Sequence, residues 1–319
     1  MRLVFAGTPA AAVPTLRRLA GEHEIVAVVT RPDAPLGRKR ILTPSPVAQE
    51  ADALGIPVIK AARLDEEATG RITALRPELG VIVAYGGLVR EPLLSAPEHG
   101  WINLHFSLLP AWRGAAPVQR ALIAGDAELG ATVFQLVPAL DAGDVHAMRV
   151  YPVAGDATAD DALASLAIDG AGLTAEAVGA IAGGTARPVP QQGEPTHAAK
   201  LGLEDGLLDW TEPADMVFAR YRGVTSEPGA HTAIDGAPLK VRELARTHDA
   251  DPLAPGVLHG IKGGVLVGTG SAPLLLVRVQ PAGKAAMAAA DWFRGLRASD
   301  GETVRFDAAA PSSEQSDAR

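Results

Sequence analysis

The chain has 319 residues, 47% of them hydrophobic, which is enough for two domains that each have a sizeable core. It contains no cysteine, which excludes disulfide bonds, a thiolate nucleophile and thiolate metal ligands. A formal net charge of -8 argues against a general nucleic-acid coat protein, so an RNA partner would need a local basic patch.

The N-terminal segment is predicted to be a buried strand. Residues 1–7 reach glycine too soon for a signal peptide, and no run approaches the ~18 apolar residues of a membrane helix. Gly7, Thr8 and Pro9 could suggest a dinucleotide-binding loop, but the Gly-x-Gly-x-x-Gly spacing is missing and Pro9 has no amide hydrogen. A plain strand–helix turn is therefore favoured, and a soluble cytoplasmic protein without membrane partners is expected.

The first half of the chain alternates apolar segments with helical patterns. Segments 3–6, 25–30, 79–84 and 101–104 are typical of strands buried on both faces of a sheet. Helices are predicted at 9–20, 46–54, 64–75, 115–125 and 160–182, and further strands at 132–137 and 145–153. Thr8 and Ser45 each precede a proline, as helix N-caps do. The pattern predicts an open α/β sheet.

Asn103 and His105 form the most informative pair in the sequence. Residues two apart on a strand project to the same side, so both side chains should face one region. They lie at the carboxyl end of a predicted strand, where ligands bind in open α/β sheets. They could be satisfied structural groups, or an amide donor and an acid–base group around one carbonyl. Asp141 lies in an Asp/Gly-rich turn and is by itself more typical of a structural residue.

The second half has a different pattern. Prolines and a Gln-Gln-Gly turn predict a linker over residues 185–205. Beyond it, a helix at 214–222 precedes strands at 231–234, 239–244, 256–258, 265–268 and 274–279, which indicate a small β-barrel or sandwich. The tail, residues 301–319, is expected to be disordered.

These motifs carry a resemblance to a known family. Asn-x-His at 103–105, Ser-Leu-Leu-Pro-x-x-Arg-Gly at 107–114 and Leu-Asp-x-Gly-Asp at 140–144 resemble the pattern of formyltransferases that use 10-formyltetrahydrofolate. The longer string 107–119, with Phe-Ala-Gly-Thr-Pro at 5–9 and Pro-Ser-Pro-Val at 44–47, is similar to the branch that acts on methionyl-tRNA. The resemblance is close over residues 1 to 185 and looser beyond. Phe106 departs from it, because that family usually has glycine there.

The resemblance implies a fold and a division of labour. A Rossmann-like α/β domain over residues 1–184, with a mostly parallel sheet, would bind folate and catalyse transfer. The linker over 185–205 would lead to an OB-like tRNA-binding β-barrel over 206–300. Asn103, His105 and Asp141 match the catalytic trio, with no metal required. Two segments match folate contacts, the pteridine-lining Val83, Ala84, Tyr85, Gly86 and Leu88, and the stretch Ser107, Leu108, Leu109 and Pro110.

Residues 31–40 form the densest basic cluster of the chain. Composition alone slightly favours an ordinary solvated loop. The resemblance changes this preference, because the family has an RNA-contacting loop here, and Arg38, Lys39 and Arg40 then become the predicted tRNA-binding residues. The expected partners are 10-formyltetrahydrofolate and initiator methionyl-tRNA, bound by a monomer. The alternatives are formyl transfer to a small amine and a catalytically silent RNA-binding protein.

Overall fold

The computed structural model describes residues 1–37, 39–247, 249–296 and 303–308. The chain divides into two compact units. The first comprises Met1–Val118, Glu128–Val153 and Asp161–Lys200, and the second comprises Gln119–Ala127, Ala154–Asp160 and Leu201–Arg319. Residues 185–200, predicted from the sequence to belong to a linker, are therefore part of the first unit.

A seven-stranded sheet organises the first unit, in the order β10-β9-β7-β6-β1-β2-β5. The strands from β7 to β5 pair in parallel, whereas β9 and β10 are antiparallel. The predicted mostly parallel α/β sheet is confirmed. The strands of this unit are β1 Arg2–Gly7, β2 Glu24–Thr30, β3 Ala34–Leu36, β4 Ile41–Thr43, β5 Val58–Lys60, β6 Leu79–Val83, β7 Trp101–His105, β8 Arg113–Gly114, β9 Glu128–Gln135, β10 Val145–Pro152 and β11 His197–Ala198.

The central strands are buried on both faces. Every residue of β6 is buried, which explains its continuous apolar sequence. Gly80 is required within it, because a Cβ at that position would lie 2.1 Å from the ring of Trp101. This close approach lets the fully buried Trp101 side chain lie against the neighbouring backbone and fixes the start of β7.

The helices that lie wholly or mainly in the first unit are α1 Val13–Ala20, α2 Pro46–Ala53, α3 Glu66–Ala74 and α5 Ala159–Ala182, whereas α4 Pro117–Ala124 lies mostly in the second unit. The predicted cap of α2 is confirmed, since Ser45 Oγ accepts from the amide of Ala48 at 3.0 Å. The predicted cap at Thr8 is wrong: a short 3-10 turn at Ala10–Ala12 precedes α1, and the Thr8 hydroxyl donates to the carbonyl of Tyr85 at 3.1 Å.

Helix α5 is long and apolar. It spans 24 residues and contains an 18-residue window of mean hydropathy 1.2, which by length and composition alone could cross a membrane. More than half of that window, 56%, is buried in the structure, as in the core helix of a globular protein. Within the first unit Leu104 of β7 packs against it, because a Cβ at Gly170 would lie 2.9 Å from the Leu104 side chain.

The second unit is built on an antiparallel sheet of order β12-β13-β16-β15-β14, with β17 paired to β16. Its elements are α6 Ala214–Gly223, β12 His231–Ile234, β13 Ala237–Arg246, β14 Leu258–Ile261, β15 Gly264–Val267, β16 Leu274–Pro281, β17 Met287–Ala288 and α7 Ala289–Arg294. The predicted strand-rich second half is confirmed, although β14 begins two residues later than the predicted strand.

Part of the expected tail is ordered. The Phe306 amide donates to the carbonyl of Gly256 at 2.9 Å, and the Phe306 ring is buried against Trp210 and Trp292, with centroid distances of 5.4 and 6.0 Å. A lone aromatic among Ala, Asp and Ser gave no periodic signal. The expectation of disorder from residue 301 is therefore wrong for residues 303–308.

Candidate active site

A cavity of about 890 Å³ opens beyond the carboxyl ends of β6 and β7 in the first unit. Strands β2 and β5 lie on one side of β1, and β6 and β7 lie on its other side. The order of the strands therefore reverses between β1 and β6, next to the cavity. Open α/β sheets bind ligands at such points. The cavity has the size of a small-molecule site. Asn103, His105 and Asp141 all line it.

Asn103 lies inside β7, with Ile82 of β6 and Phe134 of β9 as its neighbours across the sheet. Its side-chain oxygen is buried and has no hydrogen-bond partner among the described residues. An unpaired buried polar atom costs roughly 1–3 kcal/mol. A ligand in the cavity that donates a hydrogen bond to this oxygen would offset that cost, which makes Asn103 a candidate binding residue.

His105 ends β7 and is 6% exposed. Its Nε2 lies 2.8 Å from the carbonyl oxygen of Trp112, which can only accept a hydrogen bond. Nε2 therefore carries the proton of the neutral ring, and the lone pair is on Nδ1. Burial lowers the pKa of His105 below its ordinary value, while Asp141 and the Trp112 carbonyl partly offset that effect. The geometry thus presents a neutral imidazole with a free Nδ1.

Asp141 approaches that Nδ1 from a loop between β9 and β10. Its Oδ2 lies 3.9 Å from His105 Nδ1, which is too long for a hydrogen bond but close enough for a strong charge interaction once the ring is protonated. The same oxygen accepts from the amide of Gly114 at 2.8 Å. Asp141 has a φ of 45°, an uncommon conformation for a residue with a side chain. The structure therefore brings all three predicted catalytic residues to one cavity.

Buried histidines give a pH-dependent stability. Burial lowers the pKa of His105, His146 and His23, so below their ordinary value of about 6.5 the unfolded chain binds more protons than the folded chain. We expect the free energy of unfolding to fall as the pH drops from about 6.5, and to fall less steeply in a His105→Gln variant. Urea unfolding over this pH range measures it. A stability that rises on acidification contradicts the assignment.

The loop after β6 forms one wall of the cavity. Of the segment predicted to line a pteridine pocket, Ala84, Tyr85, Gly86 and Leu88 line this cavity, whereas Val83 is buried in the sheet. The hydroxyl of Thr8 and the guanidinium of Arg31 donate to the carbonyls of Tyr85 and Gly86 respectively. The Tyr85 hydroxyl donates to the Ala61 carbonyl at 2.9 Å, which anchors the end of its buried side chain. This loop is held from several sides before any ligand binds.

The other predicted folate-contacting stretch, Ser107, Leu108, Leu109 and Pro110, does not line the cavity. The hydroxyl of Ser107 donates to the Ala111 carbonyl at 2.6 Å, and Thr132 bridges Ser107 and Leu109. Phe106 is almost fully buried and lines the cavity. This unusual residue therefore adds apolar surface to the cavity wall and replaces no polar side chain. Residues 107–110 therefore form a hydrogen-bonded turn next to the cavity-lining residue Phe106.

The basic segment is partly a hairpin of β3 and β4 and not a featureless loop. Lys39 and Arg40 are exposed between its strands, and Arg38 lies outside the described residues. Three large apolar side chains of the hairpin are also exposed, Leu36, Ile41 and Leu42. Exposed cations and apolar groups on one hairpin are typical of a surface that meets a partner.

Two features of the site were missed by sequence reasoning. Asn103 is the single asparagine of the whole chain, a compositional signal that could have strengthened its selection. Gln191, which lies in the predicted linker, donates a hydrogen bond to the carbonyl of Asp141. No local sequence pattern predicts that contact. Among the described residues no group of three or more His, Asp or Glu side chains is placed to hold a metal ion.

Comparison with known proteins reveals similarity over most of the chain. Residues 1–177 match the family model described as formyl transferase, and residues 200–297 match the model of the formyl transferase C-terminal domain. Methionyl-tRNA formyltransferase from Clavibacter sepedonicus is 59% identical over 301 residues, 94% of this chain and 99% of that protein. The protein of the same name from Leifsonia xyli subsp. xyli is 61% identical over 295 residues, 92% of this chain and 97% of that one.

Solved structures share the fold at low sequence identity. An N-formyltransferase from Helicobacter canadensis, in complex with folinic acid and dTDP-3-aminofucose, is 16% identical with a TM-score of 0.66, covering 88% of this chain and 98% of that one. HypX from Aquifex aeolicus in complex with tetrahydrofolic acid is 17% identical with a TM-score of 0.62, covering 92% of this chain and 47% of that one. At these identities the likeness concerns the fold.

Proposed function

Because this chain belongs to the methionyl-tRNA formyltransferase family, we propose that it transfers the formyl group of 10-formyltetrahydrofolate to the amino group of initiator methionyl-tRNA. The product is N-formylmethionyl-tRNA for translation initiation. One observation carries the assignment of the site: Asn103, His105 and Asp141 converge on a cavity in which the Asn103 amide oxygen has no partner among the described residues.

The cavity fits a folate. Its wall is mostly apolar, as a flat ring system requires, and Ala84 and Gly86 have φ values of 47° and 77° that turn their backbone around it. The pteridine end lies against Ala84, Tyr85, Gly86 and Leu88. The co-substrate supplies an activated formyl group on nitrogen, and the residues of the chain orient that group toward the methionyl amine.

Asn103 stabilises the charge that develops on the formyl oxygen. Attack by the amine converts the formyl carbon to a tetrahedral centre with a negative oxygen, and the Asn103 carboxamide donates a hydrogen bond to it from a fixed strand position. Removing one such donor typically raises the barrier by about 3–4 kcal/mol. Burial of the site strengthens this interaction, because little water competes for the oxygen.

His105 moves the proton. Its neutral Nδ1 accepts the proton that the attacking amine must lose, and the resulting imidazolium is stabilised by the Asp141 carboxylate, 3.9 Å away. The protonated ring then returns the proton to the departing folate nitrogen. The hydrogen bond from Nε2 to Trp112 keeps the ring oriented through both steps.

Lys39 and Arg40 contact phosphates of the acceptor end of the tRNA, together with Arg38. We expect Lys39→Ala and Arg40→Ala each to weaken binding of methionyl-tRNA and to reduce the slope of log Kd against log salt by about one phosphate contact. Filter binding across a salt series measures both. Binding of 10-formyltetrahydrofolate serves as the control and should be unchanged. Wild-type salt dependence in both variants would remove these residues from the interface.

The proposed function is tested by formyl transfer from labelled 10-formyltetrahydrofolate to initiator methionyl-tRNA, with glycinamide ribonucleotide as a competing acceptor. The expected result is formylated tRNA and no formylated ribonucleotide. Transfer to the small amine instead would establish the alternative acceptor class. Binding of tRNA without folate binding or transfer would establish a silent RNA-binding protein.

The two parts of the chain divide the work. Residues 1–184 carry folate binding and transfer, and residues 206–300 form the OB-like module that binds tRNA. The matches to the two formyl transferase models over 1–177 and 200–297 support this division.

The protein acts as a monomer in the cytoplasm. Sedimentation of the purified chain at working concentrations tests the oligomeric state, and a dimer would overturn it.

A further inference from the structure

The segment of residues 189–198, hereafter the bracing segment, lies against the loops of the active site within the first unit. Val189 exchanges two backbone hydrogen bonds with Val145, at 2.7 and 3.0 Å. At the other end, β11 pairs with β8, so that His197 and Ala198 lie beside Arg113 and Gly114. The bracing segment is thus tied down on both sides of Gln191.

Gln191 joins two parts of the site. Its Nε2 donates to the carbonyls of Asp141 at 2.7 Å and Gly143 at 2.9 Å. Its Oε1 accepts from Nε and Nη2 of Arg113 at 3.1 and 2.6 Å. A guanidinium only donates, so the Gln191 oxygen must face Arg113 and the amide hydrogens must face the two carbonyls. Every polar group of the Gln191 amide therefore has a partner.

The loop that carries Asp141 needs this support. Asp141 has a left-handed φ of 45°, which costs free energy unless the surroundings enforce it. Gly143 passes so close to β9 that a Cβ would lie 1.8 Å from the carbonyl oxygen of Gln135. The side chain of Gln191 binds the carbonyls of Asp141 and Gly143, close to where the loop passes β9. It therefore fixes the position of the loop, and with it the position of the Asp141 carboxylate.

The bracing segment also reaches His105. The hydroxyl of Thr196 accepts from the amide of Trp112 at 2.9 Å, and Trp112 offers its carbonyl to His105 Nε2. Trp112 itself has a left-handed φ of 60°. One stretch of chain therefore supports the backbone next to both members of the His105–Asp141 pair.

The geometry points to Gln191, held by Arg113, as a positioning residue that sets the distance between Asp141 and His105. This inference rests on the proposed formyl transfer. Gln191 is not part of the cavity lining and acts through the loop. Its loss lets the Asp141 carboxylate move away from the imidazole, which weakens stabilisation of the imidazolium without removing any group that binds folate or tRNA.

Steady-state formyl transfer by the full chain tests it with Gln191→Leu, using Gln192→Leu as the matched control because Gln192 is the exposed neighbour. We expect kcat of Gln191→Leu to fall between about 10- and 100-fold, the scale of a displacement of up to ~1 Å, with KM for both substrates nearly unchanged. The acid limb of the kcat profile should move to lower pH, because His105 loses part of the pKa-raising influence of Asp141. In an Asp141→Asn background the same change should have no further effect on kcat.

Inactivity of the wild-type chain would overturn the proposed function itself. With an active wild type, three results overturn the inference about Gln191. These are a kcat equal to that of Gln192→Leu, an unmoved acid limb, and an effect that adds fully to that of Asp141→Asn. If the leucine variant does not fold, Gln191→Glu carries the comparison of kcat alone. It keeps the acceptor for Arg113 and loses both donors to the Asp141 loop, but its added charge itself raises the pKa of His105.

Discussion

Replacement of Asn103 by alanine should lower kcat/KM for formyl transfer by about 10²- to 10³-fold, the usual loss for one oxyanion donor. The side chain lies on a central strand of the sheet and lines the cavity, so its amide hydrogens are held in place before the charge develops. The loss should be in kcat, because the hydrogen bond strengthens as charge develops in the transition state.

The companion variant Asn103→Asp separates donation from shape. It keeps the size of the side chain but presents an acceptor-only anion to the developing negative oxygen, so it should be no more active than Asn103→Ala. Folate affinity by calorimetry and thermal stability are measured for both variants. If the Asn103→Ala protein binds folate and its kcat is within about threefold of wild type, Asn103 does not stabilise the oxyanion.

Local sequence predicted the parts of the site that local physics determines. The two-residue spacing of Asn103 and His105 on a strand requires their side chains to project together, and the structure has both in the cavity wall. Ser45 before Pro46 has the chemistry of an N-cap and forms one. The buried apolar segments became the parallel strands of the sheet.

Long-range contacts explain what the sequence did not predict. Local pattern alone made Asp141 an ordinary turn residue, and only the resemblance joined it to Asn103 and His105. In the structure its loop connects the antiparallel strands β9 and β10, and β9 pairs with β7. Prolines and a Gln-Gln-Gly turn predicted an extended linker, and in the structure Gln191 and Thr196 form hydrogen bonds with Asp141 and Trp112, far back in the chain. Thr8 is not a cap, because a 3-10 turn at Ala10–Ala12 precedes α1 and moves the helix start away from Thr8, whose hydroxyl donates to the carbonyl of Tyr85. These contacts depend on which loops lie next to each other in the folded chain, and the periodicity of a single sequence does not predict which loops do.

The carboxylate of Asp141 is the other group whose loss should be severe. Its Oδ2 accepts from the Gly114 amide and lies within charge-interaction distance of His105 Nδ1, with both side chains nearly buried. Screening by water is weak there, so the charge contributes strongly to stabilising the imidazolium formed during proton transfer. An asparagine keeps the size of the side chain and can still accept from Gly114, but it removes the charge.

Asp141→Asn should therefore lower kcat by about 10²- to 10³-fold, within the range for loss of acid–base assistance. It should also move the acid limb of the pH profile to lower pH. Burial already lowers the pKa of His105 and Asp141 opposes that effect, so removing the charge lowers the pKa further and the imidazole stays neutral in more acidic solution. The slower enzyme would thus retain its own maximal rate at a pH where wild type has begun to lose activity. Movement of the limb to higher pH contradicts the neutral-base mechanism, because it requires Asp141 to disfavour the imidazolium that the geometry places it to stabilise.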